Sequence, residues 1–372
     1  MRATEAIARQ LSSLGVDHYF VVTGGAIAPL VDEVARRRRC EDGNNSNNND
    51  DDDVVVVVAF QHEQAAVMAA EGYYRESGGK KLAAVLVTSG PGVQNTFNGL
   101  CGCYYDSVPV LLVCGNVNTS ESLDSLNSSN NNKSPRQRGF QEMPVVGAYS
   151  QFSVYSKRVC SGRDRTAAGL CRVFAEAVHA ATTPRFGPAV VDLPVNVQMD
   201  DVGGDDELPD LILQLPAKRP HPIPSSEGDD PAVIDESKLR EALELLSAAE
   251  RPLFLFGAGV RAAGAVEEVD RLVGHFQIPF LLSWGAKDLF HHDHPLNMGS
   301  HGVYGSRAAN LAVQNCDFLF VLGSRLDSRQ TGGRTDLFSG ASKKVVVDVD
   351  EGEVNKLGQI GIKIALPIVA EL

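Results

Sequence analysis

Val54-Val55-Val56-Val57-Val58-Ala59-Phe60-Gln61-His62-Glu63-Gln64-Ala65-Ala66 passes from β-branched residues through a polar turn into helix-forming residues. A β-branched run with no polar alternation predicts a strand buried on both faces, as in a parallel sheet covered by helices. The residues after it predict a helix from Glu63 to about Arg75, so a carboxylate stands where the strand becomes a helix. The same alternation repeats outward in both directions. Before the stretch lie a helix over Thr4–Leu14, a strand over His18–Val22, the Thr23-Gly24-Gly25 turn and a helix to about Arg39. After it come strand Ala83–Thr88, the Ser89-Gly90-Pro91-Gly92 turn, helix Val93–Tyr105 and strand Val110–Cys114. Helix Ala167–Ala181 and strand Ala189–Leu193 complete the series. Strands separated by helices predict an α/β fold built on a doubly wound parallel sheet.

A second series follows, with helices over Glu236–Ala249, Gly264–Phe276 and Ser306–Asn315. Its strands are expected over Pro252–Phe256, Pro279–Ser283, Phe318–Leu322 and Lys344–Val349. The chain therefore divides into a first α/β domain over 1–195, a Pro-, Asp- and Ser-rich linker over 196–235, and a second α/β domain over 236–372. Two stretches rich in Asn, Asp and Ser, about 41–53 and 120–134, offer nothing to a core and are expected to be disordered surface insertions.

Composition narrows the function classes. The chain has 372 residues and a formal net charge of −13, with Asp50 to Asp53 in one acidic run. Such a balance argues against binding a nucleic-acid backbone. No apolar run reaches the ~18 residues of a membrane span. The seven cysteines form no CxxC pair, which leaves neither a disulfide framework nor a zinc ribbon; Cys101 and Cys103 read as small buried hydrophobes. Met1 leads directly into an amphipathic pattern at Ile7, Leu11 and Leu14, so the default location is the cytoplasm, or a plastid or mitochondrion where a transit segment precedes.

Open parallel sheets bind ligands at the carboxyl ends of their strands. Here three strand ends carry Gly24-Gly25, Glu63 and Gly90-Pro91-Gly92. A glutamate at a helix N-terminus is accounted for by the macrodipole alone, worth about 0.3–1 kcal/mol. Two side-chain-free turns beside it, where a backbone can approach a flat ligand, raise the case for a site.

These residues and their neighbours resemble the pyrimidine-binding domain of thiamine-diphosphate enzymes, within them the acetolactate synthase group. The matching stretches are Phe60-Gln61-His62-Glu63-Gln64-Ala65-Ala66, Thr88-Ser89-Gly90-Pro91-Gly92 with Asn95, Asp106-Ser107-Val108-Pro109-Val110, Gly139-Phe140-Gln141-Glu142 and Gly187-Pro188-Ala189-Val190-Val191-Asp192-Leu193-Pro194. The resemblance implies that Glu63 hydrogen-bonds the N1′ nitrogen of the aminopyrimidine and shares a proton with it, favouring the imino tautomer that starts the chemistry. It implies cofactor binding by Gly24, Gly25, Gly90, Pro91, Gly92 and Asn95, through backbone at Gly25 and Pro91-Gly92, with Gln141 on the substrate side. The implied reaction is decarboxylation and carboligation of a 2-keto acid such as pyruvate, with the cofactor as electron sink. A homodimer or tetramer is implied too, since the family's cofactor lies between subunits. Another 2-keto-acid decarboxylase, an acyl-CoA lyase or a non-catalytic homologue stays open.

The second domain is similar to the central, FAD-binding domain of acetolactate synthases. The resemblance implies FAD contacts from Arg185, Gly257, Gly259, His301, Gly302, Arg325 and Asp348. Alone, Gly257-Ala258-Gly259 after a strand is weak, because no third glycine follows at dinucleotide spacing. Two departures stand out: the family's arginine-aromatic-Asp-Asp-Arg run reads Arg325-Leu326-Asp327-Ser328-Arg329, and its glycine-glutamine pair after the fourth strand reads Gly115-Asn116. His291-His292-Asp293-His294 matches a family loop and is not expected to hold a metal. The family binds Mg²⁺ through a Gly-Asp-Gly motif in a third domain, and no Gly-Asp-Gly occurs in this sequence. The expectation is a chain with two of three domains and no metal ligand of its own. The third domain is then encoded further on, supplied by another chain, or dispensed with.

Overall fold

The computed structural model describes residues 1–41, 55–125, 135–203 and 236–372. They form two compact units, Met1–Ile223 and Pro224–Leu372.

The first unit is a six-stranded, wholly parallel sheet. In chain order its strands are β1 (His18–Val22), β2 (Val56–Ala59), β3 (Ala83–Val87), β4 (Leu111–Asn116), β5 (Tyr155–Arg158) and β6 (Ala189–Pro194), arranged in space as β2-β1-β3-β4-β6-β5. The residues of β3 and β4 alternate between two cores. Ala84, Leu86, Leu111 and Val113 face one side, and Val85, Val87, Leu112 and Cys114 the other. The first side is covered by α1 (Ala3–Ser13), α2 (Ala28–Glu41) and a long helix over Ala167–Thr182, the second by α3 (Glu63–Glu76) and a helix over Phe97–Asp106. Leu170, Val173, Phe174, Ala177 and Ala181 make the inner stripe of the long helix at helical spacing. Its start is capped by Thr166, whose hydroxyl accepts from Gly169 N (3.1 Å).

The second unit is a five-stranded parallel sheet in the order β11-β10-β9-β7-β8. Its strands are β7 (Pro252–Phe256), β8 (Phe280–Leu282), β9 (Phe318–Leu322), β10 (Lys343–Asp348) and β11 (Leu366–Val369). Phe254, Phe256, Phe280 and Phe318 fill one face, and Leu253, Leu255, Leu281, Leu319 and Val321 the other.

Several expectations are corrected. β2 is not buried on both faces: it is the edge strand of the first sheet, Ala59 is exposed, and its valines are half-buried. The helix expected over Val93–Tyr105 is two helices, Pro91–Asn95 and Phe97–Asp106, which meet at Thr96. The hydroxyl of Thr96 donates to Val93 O (2.7 Å) and meets the Tyr149 hydroxyl (3.1 Å). The insertion expected over 120–134 begins with two 3-10 turns, Thr119–Glu121 and Leu123–Ser125; the rest of it, 126–134, lies outside the described residues. The insertion expected over 41–53 lies outside them too, apart from Glu41, which ends α2. The stretch expected as linker opens within a helix, Val195–Gln198, whose buried Gln198 binds Ala26 O (2.7 Å) and Leu193 O (3.0 Å). Its remainder, 204–235, is not described. Strands β5 and β11 escaped the sequence reading.

At Gly115, near the end of β4, backbone meets backbone closely. A Cβ added there would lie 2.0 Å from Ala26 O, in the turn after β1. Neither partner is a flexible side chain, so Gly115→Ala is expected to cost about 3 kcal/mol, the upper part of the overpacking range. Gly102 sits exposed in a helix with nothing within 4 Å of an added Cβ, so Gly102→Ala is expected to gain about 0.5–1 kcal/mol. Urea unfolding of both variants checks the pair; a Gly115→Ala protein as stable as the parent would show that the turn can retreat.

Candidate functional site

Because β2, β1 and β3 are neighbours running the same way, their carboxyl ends share one rim of the first sheet. From the end of β2 the chain turns through exposed Gln61 and His62 into α3. His62 caps that helix with its Nδ1, which accepts from Gln64 N (3.2 Å). Glu63 is the first residue of the helix and is buried, 8% exposed. Its Oε2 accepts from Asn95 Nδ2 (2.9 Å), reaching from the end of the helix over Pro91–Asn95.

The two glycine turns close on one threonine. A Cβ on Gly24 would come within 2.6 Å of the Thr88 Cβ, and one on Gly92 would meet the Thr88 methyl at 2.8 Å and Glu63 Oε1 at 3.3 Å. Gly25 differs: an added Cβ meets nothing within 4 Å, and the residue is exposed. Gly90 has φ +59°, in the left-handed region, and a Cβ there would lie 2.7 Å from Gln141 Cβ. Gln141 itself holds φ +59°. The structure therefore gathers Gly24, Glu63, Gly90, Gly92, Asn95 and Gln141 at one edge. Pro91, exposed, opens the helix between Gly90 and Asn95.

This arrangement fits the aminopyrimidine end of thiamine diphosphate. It offers a buried carboxylate with one oxygen engaged by Asn95, walled by turns whose glycines leave backbone and no side chains. Thr88, on which both glycine turns close, carries no signal of its own within the Thr88-Ser89-Gly90-Pro91-Gly92 stretch. Nothing in the sequence marks a threonine as the residue two glycines must accommodate.

In the second unit, Gly257 follows β7, Gly323 with Arg325 follows β9, and Asp348 is the last residue of β10. The GxG glycines have a packing role. A Cβ on Gly257 would lie 2.0 Å from Gly323 O, and one on Gly259 would lie 2.6 Å from Gly323 Cα. His301 and Gly302 pack on the segment after β9. A Cβ on Gly302 would lie 2.2 Å from Arg329 O, and the Asn310 side chain pairs with Gly302 N (2.8 Å) and O (3.1 Å). His301 is 2% exposed, and neither of its ring nitrogens has a hydrogen-bond partner among the described residues. Trp284, half exposed after β8, stacks near Tyr304 with ring centroids 5.2 Å apart, and Arg329 lies over the Tyr304 ring. The unpartnered imidazole is thus a buried polar point of the second unit, with the ring of Phe338 6.1 Å from its own. Arg185 belongs to the first unit, where its Nε donates to Ser107 Oγ (2.8 Å).

At the surface, His291, His292 and Asp293 bring ligand atoms within 4.8 Å of one another. All three are exposed, and the His291 Nδ1 already accepts from Asp293 N (3.3 Å). Among the described residues no helix is long and apolar enough to cross a membrane.

Residues 1–147 match the family model for the thiamine pyrophosphate enzyme N-terminal TPP binding domain, and 239–371 that for the thiamine pyrophosphate enzyme central domain. Among curated relatives, a probable acetolactate synthase large subunit of Methanocaldococcus jannaschii is 31% identical over 285 residues, 76% of this chain and 42% of the relative. The acetolactate synthase large subunit of Lactococcus lactis is 31% identical over 296 residues, 78% of this chain and 44% of the relative. An acetolactate synthase of Mycobacterium bovis is 30% identical over 356 residues, 96% of this chain and 50% of the relative. The chain spans about half the length of the curated relatives it matches.

The burial of His301 gives the second unit an acid-sensitive point. Desolvation pushes its imidazole down to about 4 from an ordinary 6.5, with Asp327 opposing weakly. The unfolded chain takes up this proton near pH 6.5 while the folded chain resists it until about pH 4. The stability from keeping His301 neutral is thus complete above pH 6.5 and is lost as the pH falls, by about 3 kcal/mol at pH 4. In urea titrations at pH 7 and 4.5, His301→Met is expected to lose less stability on acidification than the parent by about 2 kcal/mol. Equal losses would mean that the imidazole is charged in the fold.

Proposed function

The chain belongs to the thiamine pyrophosphate enzyme family, and we propose that it forms the pyrimidine-binding and central part of an enzyme of the acetolactate synthase type, acting on 2-keto acids such as pyruvate. The single observation that carries the reading is the buried Glu63 carboxylate, engaged by Asn95 on a rim walled by Gly24, Gly90 and Gly92. When bound, thiamine diphosphate supplies the electron sink for decarboxylation. The work of this chain is narrower. Glu63 holds a proton for the ring nitrogen, Asn95 orients the carboxylate, and the glycine turns admit a flat ring against backbone. Gln141 borders the substrate side next to Gly90. Mg²⁺ and the diphosphate fall, on this reading, to a third domain of the kind the relatives' further length accommodates.

FAD is the second cofactor proposed, held in the central domain by the rim that carries His301, Gly302, Arg325 and Asp348, with Gly257 and Gly259 shaping it. Assembly with a second copy is proposed as well. Phe97 and Tyr105 are exposed on the helix over Phe97–Asp106, packed edge-on around Phe152, and Met68 of α3 is exposed too. A second copy would cover that aromatic surface.

The active form to test is this chain supplied with a diphosphate-binding domain. There, Glu63→Gln keeps the size of the side chain and removes the shared proton; acetolactate formation from pyruvate is expected to fall by at least about 10²-fold with the far-ultraviolet dichroism unchanged. Activity near that of the parent would take Glu63 out of the mechanism.

Gel filtration after incubation with FAD tests the other two parts. The protein peak is expected to keep flavin absorbance, to lose most of it in Arg325→Ala, and to elute as a dimer or larger. A colourless peak overturns the FAD reading, and a monomer at micromolar concentration overturns the assembly.

A further inference from the structure

Asp192 is a buried carboxylate on a strand otherwise apolar. It stands on β6 two residues after Val190 and is 1% exposed. Its Oδ2 accepts from Asn116 Nδ2 (3.1 Å), and Arg158 Nε on the neighbouring edge strand β5 lies 3.6 Å away. The two are directly paired in register. Asn116 reaches further: its Nδ2 also donates to Met143 O (3.0 Å), and its Oδ1 accepts from Val117 N (2.9 Å). Arg158 points another of its nitrogens, Nη1, at Ser122 Oγ (3.0 Å) and Asp124 Oδ2 (2.8 Å). Ser122 Oγ donates in turn to Glu142 Oε1 (3.0 Å). Glu142 collects backbone N–H groups from Leu123 (2.6 Å), Arg138 (3.1 Å) and Gly139 (3.3 Å), which holds its carboxyl below the usual range against the effect of burial.

These contacts close on themselves. Asn116, Asp192, Arg158, Ser122 and Glu142 follow one another, and the peptide bond from Glu142 to Met143 returns the circuit to Asn116. Three members, Asn116 at the end of β4, Asp192 and Arg158, sit on sheet strands and cannot move far. The other two, Ser122 and Glu142, belong to the stretches 117–125 and 135–143. Gln141 immediately precedes Glu142, at φ +59° and pressed against Gly90. A non-glycine residue at positive φ persists only when its surroundings over-determine it.

We propose that Arg158 and Asp192 are positioning residues for Gln141: the circuit ties 117–125 to 135–143 and holds the Gln141 backbone against the Gly90 turn. Neither residue borders Glu63 in any contact described above, so their effect passes through Asn116, Ser122 and Glu142. Arg158 is the post of the arrangement, because its hydrogen bonds to Ser122 and Asp124 join the sheet to the turn over 122–124. Asp192 is what keeps that guanidinium in place. Its Oδ1 and the Arg158 Nε and Nη2 have no hydrogen-bond partner among the described residues, so attraction between the charges, and not a two-pronged fork, holds the pair.

What Gln141 does at the site rests on the function proposed above, but its placement can be measured without catalysis. Hydrogen exchange followed by peptide mass spectrometry on this chain reads both stretches separately from the sheet. In Arg158→Met, exchange in 117–125 and 135–143 is expected to rise at least about tenfold, with β1, β3 and β4 unchanged. Arg158→Lys, which keeps the charge, is expected to recover part of the protection. Ser122→Ala breaks one link with a minimal change and is expected to raise exchange in 135–143 several-fold; it decides the matter alone should Arg158→Met not fold. Exchange within twofold of the parent in Ser122→Ala and Arg158→Met would overturn the proposal. So would loosening spread evenly over the first sheet, which would make Arg158 a support of the fold and not of Gln141. A failure of Glu63→Gln to reduce activity would leave these outcomes untouched.

Discussion

The parallel pairing of β2, β1 and β3 is the constraint on which the rest of the first unit depends. Strands that run the same way deliver their carboxyl ends to one rim, spaced by about 4.8 Å per strand. Three turns far apart in sequence, at Gly24, Glu63 and Gly90, thereby become neighbours. Each helix that follows must return over a sheet face, so the turns are kept short and backbone-rich. A carboxylate at the start of such a helix is drawn into the rim and away from water. The same logic in the second unit gathers the ends of β7, β9 and β10.

Close backbone approach explains the glycines in two different ways. Gly24 and Gly92 close on Thr88, and Gly115 admits Ala26 O; these are contacts that any larger residue would force apart. Gly257 and Gly259 do the same for Gly323. A glycine motif at a strand end is thus accounted for by protein packing before any ligand is considered, and a ligand site gains by the room left over. Gly25, with open space before it, is the one in the first rim whose freedom packing does not use.

Much of the layering was legible, because strands with core on both sides leave an unmixed apolar signal. His18–Val22, Pro252–Phe256 and Phe318–Leu322 were read with the bounds they have in the fold. The edges were not legible. β5 reads Tyr-Ser-Lys-Arg and is half-buried throughout, and β11 alternates buried Leu366 and Ile368 with exposed Pro367 and Val369. β2 misled in the opposite direction: its valines satisfy β propensity at an edge as well as in the centre. The helix after Gly90 was read as one because nothing in the local pattern says that Thr96 will be claimed by Val93 and Tyr149.

By itself the sequence determined that this protein alternates helices and strands in two parallel-sheet units, that Glu63 starts a helix at a strand end, and that bare turns lie at two other strand ends. Periodicity and composition act locally, and these are local properties. Only the tertiary structure decided which strand ends are adjacent, that Asn95 binds Glu63, that Thr88 fills the space between two glycine turns, and that Asp192 finds Arg158 on the edge strand beside it. Those pairings join residues tens of positions apart, and they depend on the order of strands across the sheet. That order is set by how whole helices pack over the two faces, and no short stretch of sequence carries it.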